Sequence, residues 1–154
     1  MIAEICIESG ITSAVKPKDG YVGFIMRQNG QEKVILGTVS QANDKYSNLL
    51  CLKNALMRIS PQCDEVLIHT SSDYIYFNLI STNLLQWEKN LWKTSKGEDI
   101  RYKEDWKIVA GCLKGKKMNI KLYENYKGKD YLKRAIREKM KNPKIAPVQE
   151  NGKT

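Results

Sequence analysis

The sequence predicts a mixed α/β domain: a five-stranded mixed sheet flanked by helices, in the order β-β-β-α-β-α-α-β-α. Three observations carry this prediction. The first forty residues hold three strand-like segments, two of them joined by a tight Asn29-Gly30 turn. A long amphipathic helical segment follows before the fourth strand, and a helix at that point permits a parallel crossover. A short alternating strand then lies between two further helical segments at the end of the chain.

Each element has a local justification. Residues 2–8 alternate loosely between apolar and polar and read as a strand. Gly10, Pro17 and Gly20 bracket the loop that follows. Residues 21–27 and 33–39 read as a hairpin, because Asn-Gly tolerates the positive φ that a two-residue turn requires. Asn43-Asp44 offers an N-cap, and Leu49, Leu52, Leu56 and Ile59 recur at helical spacing, so a helix is predicted over 45–59. Ser60-Pro61 stops it. Residues 65–70 form a β-branched, apolar strand, and Ser71 or Ser72 can cap a helix over 74–85. Residues 86–102 are polar, aromatic and lysine-bearing. A helix over 105–113 places Ile108, Val109 and Cys112 on one side. Met118, Ile120 and Leu122 alternate with polar neighbours as a strand. A basic helix over 130–140 turns Tyr131, Leu132, Ala135, Ile136 and Met140 toward the core. The domain is placed at 1–141, and 142–154, with two prolines and no periodicity, is predicted to be a disordered tail.

Bulk properties narrow the function. A chain of 154 residues fits one domain. No apolar run reaches the length of a membrane span, and no secretory leader is visible. Cys6, Cys51, Cys63 and Cys112 form no C-x-x-C pair and read as buried free thiols, which suits a reducing cytoplasm. With His69 the only histidine, a Cys/His zinc site is not expected. The net charge is +9. Residues 1–109 hold 13 basic and 13 acidic side chains, whereas 110–154 hold 13 and 4. The whole excess therefore lies in the last third, which points to an acidic partner such as nucleic acid, with a solubilising surface as the alternative.

Four segments carry a resemblance to a known family. They are Ala3-Glu4-Ile5-Cys6-Ile7-Glu8-Ser9-Gly10, Asp19-Gly20-Tyr21-Val22-Gly23-Phe24-Ile25, Ile68-His69-Thr70-Ser71-Ser72-Asp73-Tyr74-Ile75, and Trp92-Lys93-Thr94-Ser95-Lys96-Gly97 followed by Asp105-Trp106. Over roughly residues 3–140 the chain resembles type 1 ribonuclease H, and the last segment is the most specific part of the likeness. The resemblance implies the ribonuclease H-like fold. It also implies hydrolysis of the RNA strand of an RNA–DNA hybrid by two magnesium ions held on four carboxylates.

Carried over position by position, the family's carboxylates fall on Glu8, Asn48, Ser71 and Asp130. Two are neutral here, and Glu8 reaches one methylene further than the family's aspartate. The metal ligands that remain are Glu8 and Asp130. Asp44, one helical turn before Asn48, and Asp73, two residues past Ser71, are substitute candidates; their structural alternatives are helix capping and a favourable helix dipole. His69 could act as a base, though a structural role is the simpler reading. For nucleic acid, the resemblance implies a tryptophan-bearing protrusion. Lys93 and Thr94 could donate to phosphate there, although residues 85–107 carry six basic and five acidic side chains. Trp87, Trp92 and Trp106 read as packing residues. Asn43 lies where the family reads the sugar 2′-hydroxyl. Lys133, Arg137 and Lys141 form a basic stripe on the last helix.

Three functions stay open at this point. The first is a ribonuclease H-like protein that binds nucleic acid, RNA–DNA hybrid or RNA, without hydrolysis and without a cofactor. The second is an active nuclease using Mg or Mn on a rearranged carboxylate set. The third is a protein-interaction module on the same scaffold. None involves a membrane, and each is expected in the cytoplasm.

Overall fold

The computed structural model describes residues 1–13, 15–81 and 83–142. The tail over 143–154 lies outside the described residues. Alternation and turn chemistry produce the expected sheet: β1 (Ile2–Ser9), β2 (Lys18–Gln28) and β3 (Gln31–Ala42) pair antiparallel. Asn29 and Gly30 both take positive φ, 55° and 71°, which is the twist a two-residue hairpin needs.

Helix α1 (Asp44–Leu56) then carries the chain over one face of the sheet. Its crossover lets β4 (Glu65–Thr70) pair parallel with β1, so that Cys6 lies opposite His69. Beyond β4 come α2 (Asp73–Ile80), α3 (Asn83–Lys89), α4 (Lys103–Leu113), β5 (Lys117–Leu122) and α5 (Lys129–Lys141). The sheet order is β3-β2-β1-β4-β5. The sheet is five-stranded and mixed, as predicted, with one more helix than the predicted order. The segment expected as a single helix over 74–85 is interrupted at Ser81, which takes extended backbone (ψ 173°) and caps α2.

The two faces of the sheet bury different things. Ile5, Ile7, Val66 and Ile68 point to one side and meet Leu49, Leu52, Trp106 and Val109 of α1 and α4. Cys6, Ile25 and Leu36 point to the other and meet Tyr126, Leu132 and Ile136. Gly23 permits the close approach of α5 there: a Cβ would stand 2.5 Å from Leu36 Cδ2 and 3.0 Å from Leu132 Cδ1. Two side chains depart from the predicted core. Tyr131 and Ile108 are exposed. Leu132 and Ile136 already fill the space under α5, and Tyr131, one position before Leu132, is rotated out.

The tryptophans pack together, as their pattern suggested. Trp106 is fully buried, donates Nε1–H to Tyr74 Oη at 2.9 Å, and meets Trp87 edge-on at 5.6 Å. Trp92 packs against Trp87 at 6.1 Å. This cluster fixes the loop between α3 and α4 to the core. Trp106→Ala should therefore lower unfolding free energy by about 3–5 kcal/mol, read from urea denaturation.

Candidate functional site

Glu8 is the penultimate residue of β1 and lies on the α5 side of the sheet, only 5% exposed. A buried carboxylate needs donors. Two hydroxyls supply them on one oxygen: Ser71 Oγ donates to Glu8 Oε2 at 3.1 Å and Tyr126 Oη at 2.6 Å. Ser71 follows β4, the strand beside β1, and Tyr126 lies in the connection between β5 and α5. Burial, then the hydrogen bond to Glu8, pushes the Tyr126 phenol far above its ordinary range.

Asn48 is buried on α1, but its Nδ2 donates backward along the helix, to Asp44 O at 2.9 Å and Asp44 Oδ1 at 3.1 Å. At the end of β1, α1 instead offers Ser47, whose Oγ lies 2.7 Å from Ser9 Oγ. Asp44 and Asp73 form a second acidic group. Burial raises the Asp44 carboxyl, and the nearby Asp73 charge raises it further. Tyr123 Oη donates to Asp73 Oδ1 at 3.0 Å. The two substitute candidates therefore face each other across α1 and α2. Among the described residues no hydrogen bond joins either to Glu8.

Asp130 is exposed in the first turn of α5. The α5 side chains that border Glu8 lie one and two turns further on. A cavity of about 210 Å3 is lined by Glu8, Ser9, Gly10 and Thr12 on one side and by Lys133, Ile136, Arg137 and Met140 on the other. The register of α5 thus brings cations, not Asp130, to the carboxylate. Leu132 and Ile136 face the sheet, and Lys133 and Arg137 each follow one of them along the helix.

The nucleic-acid candidates divide the same way. Asn43 Oδ1 caps α1 by accepting from Tyr46 N at 2.8 Å. Lys93 is paired with Asp99 at 2.6 Å, and Thr94 Oγ1 closes a turn by accepting from Lys96 N and Glu98 N. Lys133, Arg137 and Lys141 are exposed, and their side chains make no ion pair or hydrogen bond among the described residues. His69 lies on the same sheet face as Glu8, with Nε2 3.0 Å from Glu4 Oε2 and its ring 5.2 Å from that of Tyr126. Sequence pattern carries no signal for the role of Tyr126. Only the fold shows that it is buried.

The sequence profile of the RNase H family matches residues 11–135. The chain belongs to the RNase H family. A ribonuclease H of Syntrophomonas wolfei is 25% identical over 126 residues, covering 81% of this chain and 86% of that protein. A ribonuclease H of Actinobacillus pleuropneumoniae is 30% identical over 90 residues, 58% of each chain. Among solved structures, LC9-RNase H1, a type 1 RNase H with the type 2 active-site motif, has a TM-score of 0.71 at 12% identity, covering 98% of this chain and 78% of that one. LC11-RNase H1, solved in complex with RNA/DNA hybrid, has a TM-score of 0.55 at 14% identity, covering 88% and 97%. These likenesses establish a type 1 RNase H-like fold. Members of the RNase H family generally use Mg or Mn.

Tyr126→Phe removes the shorter of the two bonds to Glu8 and should cost about 1–3 kcal/mol of stability. The pH dependence has a definite sign. The folded pKa of Tyr126 lies above the ordinary value of 10.0. Its contribution is thus complete below that pH and is lost as pH rises beyond it, when the unfolded chain ionises first. The alkaline limb of a stability–pH curve should be shallower in Tyr126→Phe than in the parent.

Proposed function

We propose that this chain is a nucleic-acid-binding member of the RNase H family, directed to RNA–DNA hybrid or RNA, in which metal-dependent hydrolysis has been lost. The observation that supports the loss is the state of Glu8. Magnesium is a hard cation that prefers anionic oxygens, and a two-ion centre needs several of them at one place. At Glu8 the adjacent family position, Ser71, donates a hydroxyl to the carboxylate rather than adding a second one. Asn48 directs its amide to Asp44, and Lys133 and Arg137 border the cavity with positive charge. The residues present do not fit a two-metal carboxylate centre.

Binding is supported by the unpaired cations of α5. Lys133 and Arg137 lie beside the family's catalytic position, and Lys141 extends the stripe by one turn. Such a surface suits a phosphate backbone. The buried thiols of Cys6, Cys51 and Cys63 suit a reducing compartment, and we place the protein in the cytoplasm. Among the described residues no helix is long and apolar enough to cross a membrane.

One observation favours a second reading. Burial, and then the nearby Asp73 charge, raises the Asp44 carboxyl, and such a pair could hold a cation in a rearranged nuclease site. A hybrid-cleavage assay separates the two. With magnesium or manganese the parent should show no cleavage above buffer. Cleavage abolished by Asp44→Asn or Glu8→Gln would establish the nuclease instead. Conversely, the double change Asn48→Glu with Ser71→Asp should raise magnesium affinity, measured calorimetrically, by restoring two carboxylates.

Nucleic-acid binding should depend on α5. Replacing Lys133, Arg137 and Lys141 with glutamine should weaken hybrid binding. It should also flatten the dependence of log K on log salt by about two units, since each lost phosphate contact removes about 0.7–0.9. The same change at Lys89, Lys93 and Lys96 should matter less, because Lys93 is already paired with Asp99. A parent chain that fails to bind at low salt would leave a protein-interaction role as the function of the scaffold.

A further inference from the structure

We propose that Glu4, Cys6 and His69 form a zinc-binding site under the connection to α5, separate from the Glu8 cavity. The placement follows from the sheet. Glu4 and Cys6 are two residues apart on β1 and therefore share a face. His69 is the register partner of Cys6 on the parallel strand β4. One ligand atom from each residue lies within 4.8 Å of the others. Zinc bonds of about 2.0–2.3 Å put donor atoms roughly 3.3–3.7 Å apart in a tetrahedron. Glu4 Oε2 and His69 Nε2 are already 3.0 Å apart. Small side-chain rotations close the set. Thiolate, imidazole and carboxylate together suit zinc rather than magnesium.

Three features of the surroundings suit an ion here. His69 is 6% exposed, and Glu4 is the one hydrogen-bond partner of its ring among the described residues, so no other group holds Nε2. Next, Arg27 Nη1 is 3.0 Å from Glu4 Oε1 and 3.9 Å from Cys6 Sγ. It steadies the carboxylate while leaving Oε2, the oxygen beside His69, for the ion, and its charge offsets that of a Cys6 thiolate. Arg27 would remain anchored through Nε to Glu32 at 2.6 Å and Nη2 to Lys127 O at 2.7 Å. Last, there is a route in. An open cavity of about 560 Å3 is lined by Glu4 and Arg27, with Gln28, Glu32 and Lys127 at its rim.

On binding, the Cys6 thiol gives its proton to solvent and the thiolate, the imidazole and one Glu4 oxygen occupy three positions. The fourth faces the cavity and takes water. The ion would pin β1 to β4 beneath Tyr126. None of its ligands belongs to the Glu8 site, so the proposal stands or falls apart from the loss of hydrolysis.

Cobalt(II) serves as the spectroscopic probe and zinc as the competitor, on the full chain purified under reducing conditions and freed of metal with chelator. One equivalent of cobalt should produce thiolate-to-cobalt charge-transfer absorption and tetrahedral d–d bands, both removed by zinc. Zinc should also raise the melting temperature. Cys6→Ser should abolish the charge-transfer band, and His69→Gln should weaken cobalt binding on the order of tenfold or more. Cys112→Ser, a thiol outside the cluster, should leave both unchanged. Circular dichroism reports whether each variant folds. Should Cys6→Ser unfold, the parent spectrum and His69→Gln decide the matter. A folded parent without the charge-transfer band, a band that survives in Cys6→Ser, or unchanged affinity in folded His69→Gln would overturn the proposal.

Discussion

A carboxylate removed from water must be solvated by the protein, and at Glu8 three distant parts of the chain converge to do so. β1 supplies the acid, the end of β4 supplies the Ser71 hydroxyl, and the connection before α5 supplies the Tyr126 hydroxyl. The bonds can form only if β1 and β4 run side by side in parallel register and if α5 returns to the face opposite α1. Once formed, they fix where α5 begins. They thereby set which of its side chains look into the cavity beside Glu8. Lys133 and Arg137 reach it because Leu132 and Ile136 are pinned to the sheet.

The same constraint separates the two acidic groups. Glu8 lies on the α5 side of the sheet. Asp44 and Asp73 lie at the starts of α1 and α2, where Tyr123 donates to Asp73. These acidic side chains thus fall into two groups, on different parts of the fold. In one of them the carboxylate oxygen is occupied by hydroxyl donors. In the other, burial and then the Asp73 charge raise the Asp44 carboxyl.

On the α5 face of the sheet, polar groups form a line: Arg27, Glu4 and His69, then the rings of His69 and Tyr126 in contact, then Glu8. Burial alone would push the Glu4 carboxyl up, but hydrogen bonds from Arg27 and His69 outweigh it and hold the group below its usual range. Its contribution is present above the ordinary carboxylate pKa and is lost as pH falls through the lowered one. This line joins the β2 edge of the site to its centre through side chains that read in the sequence as unrelated polar positions.

Local chemistry was sufficient for most of the fold. Alternation, the Asn29-Gly30 turn and the Asn43 cap are short-range signals, and the elements they predicted are present, although α1 ends at Leu56, before the expected stop at Ser60-Pro61. The break at Ser81 has local chemistry behind it, in which Ser81 Oγ accepts from Asn83 N at 3.3 Å and Asn83 Nδ2 donates to Asn78 Oδ1 at 2.8 Å, and the helical spacing read over 74–85 passed over it. Motif order suggested Glu8, Asn48, Ser71 and Asp130 as the family positions, and helical spacing suggested the basic stripe on α5. Their arrangement could not be read from either. Whether Glu8 meets Asp130 or Lys133 depends on how far α5 is advanced along its axis. A shift of a few residues exchanges an acid for a base there. The sequence alone also set the charge asymmetry, the free thiols and the packing role of the tryptophans, all of which follow from residue type and spacing. The tertiary structure alone decided that Tyr126 is buried on Glu8, that Asn48 turns to Asp44, and that Glu4, Cys6 and His69 meet. Each of these is a contact between side chains brought together by strand pairing or by a helix register, and no local pattern encodes it.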